Sequence, residues 1–154
     1  MELDGVVKFS VHHRPGPPFV GENVARMLAV RDELWAARWL GWDPARYEGA
    51  PYGNVSARVN PDAARFYVTG TGTSRVPRLS ADGACLVERV EVARNRVWST
   101  GPVEPSSEAM THAAIYAANP AVGGVCHGHA PAAWRRALAG ELPGLLLTPD
   151  GVAY

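Results

Sequence analysis

Ala121-Val122-Gly123-Gly124-Val125-Cys126-His127-Gly128-His129-Ala130 is the stretch on which the reading of the whole chain turns. Val122 to Val125 is an apolar, glycine-containing run that suits a buried strand better than a helix, and a strand sends every second side chain to the same face. His127 and His129 therefore point one way, with Cys126 and Gly128 on the other side. At a rise of about 3.3 Å per residue the two imidazoles stand roughly 6 to 7 Å apart along the strand, near enough to reach one metal ion. A lone His-x-His is a weak signal, and its weight depends on what lies upstream.

Upstream stands Pro105-Ser106-Ser107-Glu108, followed by Ala109 to Ala118, a run of helix-favouring residues that should stop at Asn119-Pro120. A helix start with two serine hydroxyls, unpaired backbone N–H groups and the positive end of the helix dipole forms a cradle for an anion such as phosphate. The plainer reading is an N-cap, for which one serine is enough. Glu108 and His112 lie four residues apart on one helical face, which sets a carboxylate beside both the anion site and, if the next strand returns alongside, the histidine pair.

Working outward, Glu22 to Leu40 reads as a long helix with Val24, Met27, Leu28, Leu34 and Trp35 as its core stripe. Asp43-Pro44 opens a loop running to Pro51. Asn54 to Val59 and Arg65 to Thr69 read as an antiparallel hairpin about Asn60-Pro-Asp-Ala-Ala64. In such a hairpin Gly53-Asn54 and Thr69-Gly70-Thr71-Gly72 share one end. There glycines let the backbone approach a ligand while an amide and a hydroxyl donate to it. Without further support these are equally strand-end turns. Arg75 and Arg78 read as solvent-facing. Ala84 to Val92 and Arg96 to Ser99 form a second hairpin, with Glu88 exposed. Val6 to Val11 is a first strand, after which His12-His13-Arg14 and the proline-rich breaker read as solvated loop. Ala130 to Ala139 is a short helix, Gly140 to Gly144 a turn, and Leu145 to Thr148 a buried strand.

The chain has 154 residues, 47% of them apolar and 19% charged, and a formal net charge of zero. That is enough for one domain over 1–154 with a real core, and it gives no bulk electrostatic reason to expect nucleic acid or an anionic membrane as partner. Two cysteines, Cys85 and Cys126, are too few for a disulfide scaffold. With no signal peptide and no spanning apolar run, the expected location is the cytoplasm.

Taken in order, Gly53-Asn54-Val-Ser56, Thr69-Gly-Thr71-Gly72, Pro105-Ser106-Ser107-Glu108 and His127-Gly-His129 resemble the class II aldolase/adducin family, which includes sugar-phosphate aldolases and 4-epimerases. The four motifs run from Gly53 to His129. The resemblance implies an α/β fold, a three-layer α/β/α sandwich around a largely antiparallel sheet. It implies that Gly53, Asn54, Thr71, Gly72, Ser106 and Ser107 hold a substrate phosphate. Glu108 would shuttle a proton, and His127 and His129 would ligate Zn2+ or another divalent metal. The leading function it implies is metal-dependent carbon–carbon bond cleavage or formation in a small phosphorylated sugar or aldehyde. An epimerase or dehydratase of the same family shares these residues, and a non-catalytic domain like the adducin head is the reading from another class.

The ending departs from the family's pattern, in which a third zinc histidine follows a further helix; no histidine follows His129 here. Glu108 stands in as a third ligand, with His112 as a second candidate, and the expected metal occupancy is weak and partial. The family also implies a homo-oligomer, a cyclic tetramer with its site between neighbours. Trp39, Trp42, Tyr116 and Trp134 are the residues expected to be exposed for such contacts.

Overall fold

The computed structural model describes residues 9–141. Val6 to Lys8, most of the turn to Gly144 and the strand expected at Leu145 to Thr148 lie outside those residues. Six strands form one sheet in the order β1-β5-β4-β3-β2-β6, with β1 at Ser10–Pro15, β2 at Asn54–Arg58, β3 at Phe66–Thr69, β4 at Ala84–Glu91, β5 at Arg96–Gly101 and β6 at Gly124–His127. Three helices accompany it: α1 at Glu22–Ala36, α2 at Ala109–Ala118 and α3 at Pro131–Leu138. The fold is α/β. Every pairing is antiparallel except β1 with β5.

That parallel pair corrects the sequence reading at the N-terminal end. His12, His13 and Arg14 are strand residues, not solvated loop, in register with Trp98, Ser99 and Thr100. His12 stacks on Trp98 with ring centroids 4.9 Å apart, His13 Nδ1 lies 2.9 Å from Ser99 Oγ, and Arg14 pairs with Glu88. Pro15 is tolerated because it closes an edge strand. Glu88 is only half-exposed, because a bulge between Val87 and Arg89 shifts the alternation by one residue and turns Arg89 outward.

Alternation along the strands feeds two apolar clusters. Phe66, Val68, Cys85, Val87 and Val97 pack with Ala109 and Tyr116 of α2. Val55, Ala84 and the half-buried Tyr67 pack instead with Met27, Leu28, Leu34 and Trp35 of α1. Successive residues of β3 thus serve opposite faces, as the period of a strand requires.

Helix α1 stops four residues short of Leu40. Arg38 takes a left-handed conformation (φ 62), and the N–H groups of Arg38 and Trp39 return to the carbonyls of Trp35 and Leu34, each at 2.9 Å. This closes the helix by the 6→1 and 5→2 pattern that frees the chain to turn. Leu40 then drops into the core.

Two arginines are buried as backbone clamps. Arg31, 1% exposed, donates to the carbonyls of Thr73, Val76 and Pro77 and pairs with Asp32. Arg58 donates to the carbonyls of Ala63, Tyr116, Asn119 and Val122. A guanidinium with five fixed donors suits a cluster of carbonyls better than any other side chain. Among the described residues no helix is long and apolar enough to cross a membrane.

Candidate active site

Antiparallel pairing of β2 with both β3 and β6 places the start of β2 beside the ends of its two neighbours. Asn54 is therefore opposite His127, while Thr69 closes β3 on the other side. The segment leading into α2 joins this end of the sheet through a bridge between Gly70 and Pro105, and through bonds from Ser106 N to Thr69 O (3.1 Å) and Thr71 N to Glu104 O (3.0 Å). Ser74 Oγ donates to Gly53 O at 2.8 Å and ties the remaining loops together.

A cavity of about 210 Å³ opens here, and all nine residues expected of the site line it: Gly53, Asn54, Thr71, Gly72, Ser106, Ser107, Glu108, His127 and His129. Segments up to 76 residues apart in sequence thus meet in one hollow. Arg75 also lines it, contrary to the solvent-facing expectation, whereas Arg78 does not. Gly53 and Gly72 are left-handed (φ 79 and 71), a conformation that glycine takes without strain.

Helix α2 begins at Ala109, with Glu108 as its N-cap residue. Ser106 Oγ accepts the Glu108 N–H at 3.2 Å, so the first serine caps the turn while Ser107 remains half-exposed at the cavity. His112 does not face the cavity. It is 1% exposed beneath it, with Nδ1 2.7 Å from Ser56 Oγ, which lies 2.7 Å from the Tyr116 hydroxyl. The expectation of His112 as a metal ligand is thereby corrected: one helical turn after Glu108, this position faces the sheet. Burial, with His127 close by, pushes its pKa down to about 4 and keeps it neutral. Tyr116 is likewise buried in the core and offers no exposed surface, while Trp39 and Trp42 are exposed.

The loop before Gly53, read from sequence only as a connection, supplies two further walls. Tyr47 and Tyr52 line the cavity and pack on His129, with ring centroids 4.7 and 5.2 Å from the imidazole. Their sequence signal was an aromatic pair inside a Pro/Gly-rich loop running straight into Gly53-Asn54. Backbone bonds between Gly41 and Tyr52 in both directions pinch the loop at its base.

His129 lies two residues past the end of β6, yet its ring centroid is 5.2 Å from that of His127. Each Nδ1 has a neighbour in the wall: Asn54 Nδ2 at 3.2 Å from His127, and the Tyr47 hydroxyl at 2.6 Å from His129. Asn54 Oδ1 is buried and lacks a hydrogen-bond partner among the described residues. A half-turn of that amide brings Oδ1 against Nδ1, satisfies the oxygen and leaves the lone pair of His127 on Nε2, the form a metal requires. With that amide orientation the two imidazoles could serve a divalent metal as two ligands, where a catalytic zinc takes three from the protein. Among the described residues no group of three or more His, Cys, Asp or Glu side chains is arranged to hold a metal ion.

The chain is 33% identical over 140 residues to a methylthioribulose-1-phosphate dehydratase of Acidiphilium cryptum, covering 86% of this chain and 57% of the relative. It is 37% identical over 107 residues to the protein of the same name from Gluconacetobacter diazotrophicus, covering 68% of this chain and 46% of the relative. The chain spans about half the length of these curated relatives. No solved structure gives a significant match. The family model described as class II aldolase and adducin N-terminal domain matches residues 36–154, a span that takes in every motif lining the cavity, and the chain belongs to that family.

Proposed function

We propose that this chain carries the site of a metal-dependent lyase that removes water from a ketose phosphate, within an α/β/α layering of the family kind. The observation that carries the reading is the convergence of Thr71-Gly72, Ser106-Ser107, the Glu108 carboxylate and an imidazole pair on one cavity. The two relatives' shared name favours dehydration over the carbon–carbon cleavage implied first by the family motifs.

The anionic end of the substrate lies against Thr71, Gly72, Ser106 and Ser107, where hydroxyls and backbone N–H groups meet the N-terminus of α2. Glu108 takes a proton from the carbon next to the carbonyl, the hydroxyl on the following carbon leaves as water after gaining a proton, and an enol remains. A divalent metal held by His127 and His129 would supply polarisation of the carbonyl. Arg75 adds positive charge at the rim. The expected partners are a small sugar phosphate and further copies of the chain.

The test is incubation of the zinc-loaded protein with methylthioribulose 1-phosphate and mass analysis of the products. Loss of one water with the carbon skeleton intact supports the reading. Two carbon fragments instead would return the assignment to an aldolase. Neither product, with zinc bound at His127 and His129, would favour a binding domain.

A further inference from the structure

His127 is aligned by strand pairing, since it is the last residue of β6 and sits opposite Asn54. His129 has no such help. Its backbone N–H donates to Trp39 O, which anchors the main chain and leaves the ring to be oriented by what touches it. The contact on Nδ1 is the Tyr47 hydroxyl at 2.6 Å, and the two rings meet edge to face.

Resting on the metal-dependent reading above, we propose that Tyr47 is a positioning residue whose phenol oxygen accepts Nδ1–H of His129 and fixes the ring tautomer that offers Nε2 to a metal. Arg46 supports the assignment. Its Nη2 lies 2.8 Å from the Tyr47 oxygen and can only donate, while its guanidinium also lies over the Tyr47 and Tyr52 rings. With Arg46 on one lone pair and His129 on the other, the phenol's own hydrogen is turned away from both. Tyr47 lines the cavity, so that hydrogen is available to a bound oxygen there.

The backbone shows that this placement is imposed. Tyr47 and Glu48 both have positive φ (49 and 54) and Gly49 follows at 76, so two side-chain-bearing residues in succession hold a conformation they adopt only when the surroundings require it. The surroundings are specific: Trp42 Nε1 donates to Gly49 O at 2.7 Å, and the bonds between Gly41 and Tyr52 close the loop behind it. The left-handed turn sets the Tyr47 ring edge to face against His129.

Tyr47→Phe keeps the ring and its packing and removes only the oxygen. Nitrogen NMR of the metal-free, labelled full chain reads the His129 tautomer, and calorimetry with zinc chloride reads affinity. Wild type should show one His129 tautomer with Nδ1 protonated. Tyr47→Phe should show averaged nitrogen shifts from two exchanging tautomers, and its zinc dissociation constant should rise about 10- to 100-fold, the usual effect of losing such an outer partner. A wild-type His129 protonated on Nε2, or an unchanged tautomer in Tyr47→Phe, overturns the proposal. If wild type takes up no zinc, the metal-dependent reading fails, and the tautomer comparison still decides the role of Tyr47.

Discussion

Gly53→Ala probes the joint between core and site. An added Cβ would stand 2.3 Å from Leu40 Cβ and 3.0 Å from both Leu40 Cα and His127 O, and Gly53 has φ 79. Two penalties therefore combine. Alanine in the left-handed region costs about 1 kcal/mol, and overfilling a packed site typically costs about 1–3 kcal/mol. Leu40 cannot retreat, being fully buried against Met27 and Val55. The sum is about 2–4 kcal/mol. With a urea slope of about 2 kcal/mol/M, the unfolding midpoint should fall by roughly 1–2 M. Gly49→Ala separates the two terms, since Gly49 has φ 76 but nothing within 4 Å of an added Cβ. It should lose only about 1 kcal/mol. Equal losses for the two variants, within about 0.5 kcal/mol, would refute the packing argument, because single-site comparisons resolve differences of that size.

Three further outcomes are expected. Glu108→Gln keeps the shape of the cavity wall but removes the proposed base, so turnover in the dehydration assay should fall by about 100-fold or more. Arg31→Met removes a buried guanidinium from the carbonyls of Thr73, Val76 and Pro77. It should cost about 3 kcal/mol and speed proteolysis within residues 73–78, read by urea melts and limited digestion. His112, with its folded pKa lowered from 6.5 to about 4, binds its proton more readily when unfolded. Its contribution to stability is therefore present above pH 6.5 and is lost as pH falls toward 4. That contribution is on the order of 3 kcal/mol, and His112→Gln should flatten the slope of unfolding free energy across that window.

The helix at Ala109–Ala118 and the hairpins of β2 with β3 and β4 with β5 were legible because each is a local pattern: helix formers ending at Asn-Pro, or alternating apolar residues about a turn. The hairpin alone set Gly53-Asn54 beside Thr69 to Gly72, but their meeting with the histidine pair was legible only through resemblance, since no local rule brings Gly53 beside His127. What escaped was set by contacts distant in sequence. His12 to Arg14 look like loop residues until β5 supplies a parallel partner, and Arg31 looks like a solvated helix charge until three carbonyls surround it. His112 shares a helical face with Glu108 on a helical wheel, but the sheet beneath takes one residue and the cavity the other. Tyr47 was hidden because a left-handed turn at two non-glycine residues contradicts local preference, the kind of conflict that functional loops retain.

The order of pairing in the sheet also has a kinetic meaning. The β2–β3, β3–β4 and β4–β5 pairs join neighbours in sequence and can form early, whereas β1 must find β5 from Ser10 to Arg96 and β6 must find β2 from His127 to Asn54. Among the described residues both distant pairings lie at the rims of the sheet, one on each side. Closing such long loops before any contact rewards them is the slow part of folding for a chain of this kind. The imidazole pair rides on the late-arriving β6, so the central strands can be in place while the site is still open. A chain caught at that stage would have most of its core and no binding cavity.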